Sequence, residues 1–298
     1  MNSKKQIVGI GEVLWDVFPN GPRFGGAPAN FACSAASLGG DQVHVSMISG
    51  VGNDELGLRA IAELQKHHVD VTHLSKMVRP TGQVSVQLNA SGQASYEFAV
   101  DTAWDNIAWS DDLRQIAEAT DVVCFGTLGQ RSELSRTTIR RFVGATPRSC
   151  LRIFDINLRP PFSTDEAILA SLPLANVLKL NNDELPVLAA LLNYQGSEDE
   201  LLQQLRQQFG LKMVALTRGS EGSLLVDSSG HLSDLTGQPT DIIDTVGAGD
   251  AFTAALAVGL LMELPLAELH QRASELAAFV CGQPGATPEI PARFTIAR

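Results

Sequence analysis

Positive charge, paired cysteines and long apolar runs are all scarce in this chain. Lys and Arg number 22 against 33 Asp and Glu, which gives a formal net charge of -11. A surface of that sign repels polyanions, so nucleic acid and anionic membranes are not expected partners. Nucleotide phosphates remain compatible with it, because backbone donors and a metal ion can hold them locally. The four cysteines, Cys33, Cys124, Cys150 and Cys281, lie far apart and form no C-x-x-C pair. That spacing fits neither a disulfide framework nor a zinc site, and Cys33 and Cys124 sit in apolar runs as buried thiols do. No stretch of about 18 apolar residues occurs, the length a membrane helix requires. The opening Met1-Asn2-Ser3-Lys4-Lys5 leads into a strand-like run rather than a signal-peptide core, which predicts a cytoplasmic protein. No histidine has metal-ligand spacing. His44, His67, His68, His73 and His231 are expected at the surface, and His270 in a late helix. Repeats, low-complexity segments and separating linkers are also missing, so residues 1–298 read as one domain with a small β appendage.

What the chain does have is core material in a regular rhythm. Hydrophobic residues make up 44%. Short apolar runs at Gln6–Gly11, Val43–Ile48, Val122–Phe125, Arg152–Ile156, Val177–Leu180 and Met213–Leu216 read as buried strands. Between them, Ala29–Leu38, Leu56–His67, Leu113–Ala119, Ser132–Val143, Glu184–Leu192 and Glu198–Gln208 read as helices. This alternation predicts an α/β fold, doubly wound, with a mainly parallel sheet flanked by helices. Ala251–Met262 is apolar nearly all round and is expected to be a buried helix. Gln83–Leu88 and Ala94–Val100 alternate with period two about Asn89-Ala90-Ser91-Gly92, which predicts a hairpin. A hairpin between α/β units does not join a parallel sheet easily, so it is expected to project as a flap. Trp104 and Trp109 follow it, as hinge packing or as a pocket wall.

One segment carries chemistry in its own composition. Asp244-Thr245-Val246-Gly247-Ala248-Gly249-Asp250 follows a strand-like Asp241–Ile243 and leads into the apolar helix. Its Gly-Ala-Gly turn has almost no side chains, so successive N–H groups can face one space at a helix N-terminus and hold an anion. Asp250 then stands in the first turn. By itself it reads either as an ordinary first-turn acid or as a base beside an anion hole.

Six further pieces narrow that choice. Asp244–Phe252 resembles the C-terminal signature of the ribokinase-like, PfkB-type carbohydrate kinases. Phe24-Gly25-Gly26-Ala27-Pro28-Ala29-Asn30-Phe31-Ala32 is similar to their Gly-Gly-x-x-x-Asn motif. Gly11–Asp16, Val51–Gly57, Asp155-Ile156-Asn157-Leu158-Arg159, Asn181-Asn182-Asp183-Glu184 and Thr217-Arg218-Gly219 match in the same order, across nearly the whole chain. The resemblance implies a ribokinase-like fold whose β lid is built from segments at about 12–30 and 80–105. It implies Asp250 as catalytic base and Gly247, Ala248 and Gly249 as the anion hole. For the sugar it implies Asp16, Gly25, Gly26, Asn30, Asn157 and Arg159. Alternation along an extended chain would put Asp155, Asn157 and Arg159 on one side. For the nucleotide it implies Asn181, Thr217, Gly219 and the turn glycines, with Arg218 pointing outward. Glu184 would act on Mg²⁺ through water, and a monovalent cation such as K⁺ would use Asp244 with carbonyls at Val246, Val280 and Gly285.

Two rival classes fare worse. A dinucleotide oxidoreductase needs Gly-x-Gly-x-x-Gly after the first strand, and Gly9-Ile10-Gly11-Glu12-Val13-Leu14 lacks the third glycine. A non-catalytic sensor on the same fold would be expected to lose the base or the hole, and both are present. Among sugars, the Gly11–Pro19 and Phe24–Ala32 segments look most like fructokinases, with O6 or O1 as acceptor. 2-Keto-3-deoxygluconate, ribose or a nucleoside stay open as alternatives. A homodimer through the β lid is expected, since its sheet edges can pair with a second copy.

Overall fold

The computed structural model describes residues 4–19, 21–88 and 94–296. In chain order the elements are β1 (Lys5–Ile10), β2 (Leu14–Phe18), β3 (Gly21–Gly25), α1 (Ala27–Gly39), β4 (Val43–Gly52), α2 (Glu55–Lys66), β5 (Leu74–Met77), β6 (Gly82–Leu88) and β7 (Ala94–Phe98). Then come α3 (Asp111–Ala119), β8 (Val122–Phe125), α4 (Glu133–Ala145), β9 (Leu151–Asp155), α5 (Asp165–Ser171), β10 (Val177–Asn181), α6 (Glu184–Leu192) and α7 (Glu198–Phe209). The last are β11 (Met213–Thr217), β12 (Ser223–Asp227), β13 (Leu232–Leu235), α8 (Ala248–Leu261) and α9 (Leu266–Cys281).

Nine strands form the main sheet in the order β13-β12-β11-β10-β9-β8-β1-β4-β5. It is parallel from β11 to β5, and β12 and β13 add an antiparallel edge. Adjacent residues in these strands point to opposite faces, and each face has its own core. Ile7, Val122, Val177 and Met213 pack with α1, α2, α8 and α9. Their neighbours Val8, Val123, Leu178 and Val214 pack with α3 to α7. A run apolar at every position is therefore what a strand covered on both sides requires, and the doubly wound expectation holds.

The small sheet has the order β3-β2-β6-β7, with β2 parallel to β6 and the other pairs antiparallel. It takes in the predicted hairpin together with β2 and β3, which the α/β rhythm alone did not separate. The turn Asn89-Ala90-Ser91-Gly92 lies outside the described residues. Trp104 packs beneath this sheet against Leu14, Val84 and Leu128, with the Arg131 guanidinium 4.0 Å above its ring. It is hinge packing. Trp109 lies elsewhere, under Arg141.

Side chains start most of the outer helices. Asp54, Ser110, Ser132, Thr164 and Ser197 each accept an N–H from the first turn of α2, α3, α4, α5 and α7. α1 and α8 differ: their N-caps are Gly26 and Gly247, with φ of 110° and 81° and no side-chain cap. The Ala27 N–H of α1 is met by the Glu12 carboxyl, and the first turn of α8 is left without a side-chain acceptor among the described residues.

Three sequence expectations need correction. Asp241–Ile243 forms no strand; it is irregular chain tied down by Ile243 and Asp244 N–H groups donating to the Cys281 carbonyl. His67 is buried, because the end of α2 folds over it. Arg218 does not point outward; it pairs with Glu198 and Asp234 and stays largely covered.

Candidate active site

Two helices that start on a glycine bring the site together. α1 and α8 pack on the same face of the sheet, and Asn30 in the first turn of α1 donates its Nδ2–H to Asp250 Oδ2 of α8 at 2.8 Å. These residues are 220 apart in sequence. Asp250 is surrounded by protein yet keeps part of its surface open. Burial pushes its carboxyl up to about 6, the Asp155 charge adds to the rise, and Asn30, Lys179 and Arg159 oppose it.

Beneath the Gly247–Gly249 turn lies a buried charge pair. Lys179 Nζ is 3.1 Å from Asp155 Oδ1, and the Thr253 hydroxyl donates to Asp155 Oδ2 at 2.9 Å. A Cβ on Gly249 would come within 3.1 Å of Lys179 Nζ, so glycine keeps the turn close to the ammonium. On the other side, a Cβ on Gly247 would meet the Ala286 carbonyl oxygen at 2.4 Å. The turn thus sets a helix N-terminus in front of a lysine, an arrangement suited to an anion.

Asp155, Asn157 and Arg159 do not share one side of an extended chain. Asn157 has φ of 45°, in the left-handed region, so alternation breaks there. Asp155 turns into the core toward Lys179, whereas Arg159 is exposed at the rim and draws down the carboxyls of Glu12, Asp16 and Asp250. Arg159 therefore faces the site, and Asp155 supports it from below.

The remaining expected residues lie on the small sheet, at the ends of β10 and β11, and in the segments that follow them. Asp16 projects from β2, its carboxyl raised by burial against the pull of Arg159 and Arg23. The paired glycines make room for protein atoms: a Cβ on Gly25 would lie 2.9 Å from Asp16 Oδ2, and one on Gly26 would lie 2.5 Å from the Glu12 carbonyl oxygen. Asn181 and Thr217 are register partners at the ends of β10 and β11. Gly219 follows with φ of 57°. Asn181 Oδ1 accepts the Asp183 and Glu184 N–H groups.

Glu184 is buried, and its two carboxylate oxygens accept the Leu158 and Asn181 N–H groups at 2.8 Å each. A hydrated Mg²⁺ would have to use the lone pairs that remain on that carboxylate. Asp244 is more fully engaged. Oδ1 accepts the Val246 N–H at 3.0 Å, and Oδ2 takes both the Gly285 N–H and Arg23 Nη1 at 3.3 Å. Val280 is buried near the end of α9. A monovalent cation at Val246, Val280 and Gly285 would have to share Asp244 with the Arg23 guanidinium.

Sequence reasoning passed over Glu12, Arg23, Lys179 and Thr253. Lys179 and Glu12 left a signal: each is a lone charge inside an apolar run, and such charges are buried only with a purpose. Arg23 left none, because its partner is 221 residues away.

A doubly wound, mainly parallel sheet flanked by helices, with a small second sheet beside it, is the fold of the ribokinase-like kinases. The pfkB family carbohydrate kinase profile matches residues 16–293, and the chain belongs to that family. It is 33% identical to an uncharacterized sugar kinase of Pyrococcus horikoshii over 302 residues, 94% of this chain and 91% of the other. It is 30% identical to the fructokinase of Salmonella typhimurium over 277 residues, 87% of this chain and 85% of the other. The Pyrococcus horikoshii kinase in complex with ATP superposes with a TM-score of 0.77 at 31% identity, over 94% of each chain. The fructokinase of Xylella fastidiosa with bound ATP has the same fold, with a TM-score of 0.84 at 20% identity over 97% and 96%. The chain is a carbohydrate kinase, and so a phosphotransferase.

Proposed function

We propose that the protein transfers the γ-phosphoryl group of ATP to a primary hydroxyl of a free ketohexose, fructose being the best candidate. The observation that carries this reading is the Asn30–Asp250 hydrogen bond at 2.8 Å. It joins a sugar-facing helix start to an acid beside an anion-binding turn. Asp16, Asn30, Asn157 and Arg159 hold the sugar, with Gly25 and Gly26 shaping the floor. Asn181, Thr217 and Gly219 line the nucleotide side.

In the reaction Asp250 takes the hydroxyl proton as the acceptor oxygen bonds to the γ-phosphorus and the β,γ-bridging P–O bond breaks, releasing ADP. The N–H groups of Gly247, Ala248 and Gly249, backed by Lys179, hold the charge that builds on the transferring group. Mg²⁺, held through water by Glu184 and near Asn181, would neutralise phosphate charge. The small sheet acts as a lid that excludes water, which otherwise competes as acceptor. Its outer strands β3 and β7 offer edges for a second copy, so a homodimer is the expected assembly.

Fructose is favoured by the likeness to fructokinases, which extends over most of each chain. A coupled ADP-release assay over fructose, other hexoses, ribose, 2-keto-3-deoxygluconate and nucleosides tests it. Phosphorus NMR of the product then locates the phosphorylated carbon. Turnover with a nucleoside or sugar acid and none with fructose would overturn the substrate; no turnover with any of them would overturn the reaction.

A further inference from the structure

Glu12 stands where β1 hands the chain to the small sheet, and the reaction above gives it no task. Only 2% of it is exposed, and its Oε2 has no hydrogen-bond partner among the described residues. That oxygen lies against backbone, since a Cβ on Gly129 would come within 3.2 Å of it. The carboxyl accepts the N–H of Glu12 itself and of Ala27, the first residue of α1. The charged groups facing it are Arg159, from the loop after β9, and Asp250, from α8. The adjoining parts of α1 and of the Leu128–Gln130 turn bring only uncharged groups.

A carboxylate oxygen enclosed without a donor carries a desolvation penalty that protonation removes. Asp250 has the Asn30 amide donating to it, and Lys179 and Arg159 offset the Asp155 charge that also acts on it. Arg159 favours the charged form of both carboxyls, so placing charge on both leaves one poorly compensated. The carboxyl with the orphaned oxygen is the one that stays neutral.

We propose that Glu12 is a positioning residue for the base: the Glu12 and Asp250 carboxyls hold one proton between them near neutral pH, it resides on Glu12, and Asp250 is left ionised to receive the acceptor's proton. This rests on the reading of Asp250 as the base. Burial raises Glu12 to about 7 and Asp250 to about 6, the same order as their donor sets. The orphaned Oε2 of Glu12 and the Asn30 donor on Asp250 place the shared proton on Glu12. At higher pH Glu12 ionises as well, and turnover declines.

Two measurements on the full chain test this. Infrared difference spectra near pH 6.5 should contain a protonated-carboxyl C=O stretch that Glu12→Gln removes and Asp250→Asn leaves in place. Its removal by Asp250→Asn instead, or survival in Glu12→Gln, overturns the proposal. In kcat–pH profiles, Glu12→Gln should raise the ratio of turnover at pH 8.5 to that at pH 6.5 by at least about threefold. A merely structural Glu12 would shift Tm and leave that ratio unchanged, which also overturns it. Should Glu12→Gln fail to fold, Glu12→Asp keeps a carboxyl and should shift the stretch rather than remove it; an unmoved stretch counts against Glu12. If Asp250→Asn retains full turnover, the base reading fails, and the infrared result still decides where the proton sits.

Discussion

Arg23, on an edge strand of the small sheet, reaches Asp244 at the root of the anion turn, with 3.3 Å between Nη1 and Oδ2. It ties the small sheet to the segment that carries Gly247 and Asp250. Arg23 is nearly half exposed, so the pair contributes at most about 1 kcal/mol to stability. Arg23→Ala should therefore leave Tm within a few degrees of wild type. It should raise the sugar KM several-fold at low salt, a difference that shrinks as ionic strength rises. Steady-state kinetics at two salt concentrations would check this, and an equal KM at both would separate the ion pair from lid position.

Asp250→Asn should lower kcat by about 10²–10⁴ while ATP still binds, as measured by calorimetry. In the wild type the base must be ionised, so kcat should fall as pH drops through about 6. Stability runs the other way. The folded-state value lies above the usual 3.8, so the folded protein binds the proton more tightly, and stability declines as pH rises from about 4 through about 6. Asp250→Asn should hence unfold at a higher temperature than wild type at pH 8, by an amount of order 1 kcal/mol once partial exposure is discounted. A lower Tm would show the carboxylate to be stabilising.

Lys179→Met should be strongly destabilising, by about 3–5 kcal/mol, because it leaves Asp155 buried without its cation. Adding Asp155→Asn should restore much of the lost stability but not turnover, since the positive charge behind Gly249 is still absent. Denaturant unfolding of both variants, with kcat for the double one, gives the test. Recovery of both together would make the lysine purely structural.

Gly247→Ala should cost activity through backbone shape alone. Its φ of 81° is unfavourable for alanine, and the new methyl would press on the Ala286 carbonyl. The turn must open, moving its N–H groups, and kcat should drop at least about tenfold with ATP affinity reduced. Near-normal kinetics would mean that these amides do not hold the transferring group.

Much of this was legible locally. The strand at Val122–Phe125 and the helix at Glu184–Leu192 fall where periodicity places them. Helix starts at Ser132 and Ser197 follow from their side-chain oxygens. Asp241–Ile243 misled because β-prone residues form a strand only beside a partner, and here the neighbouring chain is the end of α9. Asp155 and Asn157 misled because one left-handed residue cancels the alternation on which the reading stood.

The sequence by itself determined the order of elements, the apolar strands covered on both faces, and a glycine turn able to bind an anion before an acidic first turn. These rest on local period and local backbone freedom, which neighbouring residues carry between them. Tertiary structure decided which groups meet that acid: Asn30 across 220 residues, Lys179 from beneath, Arg159 at the rim. It also left Glu12 buried with an unpartnered oxygen. Such meetings depend on α1 closing against α8 over the sheet, and no stretch of chain shorter than the whole fold specifies that closure.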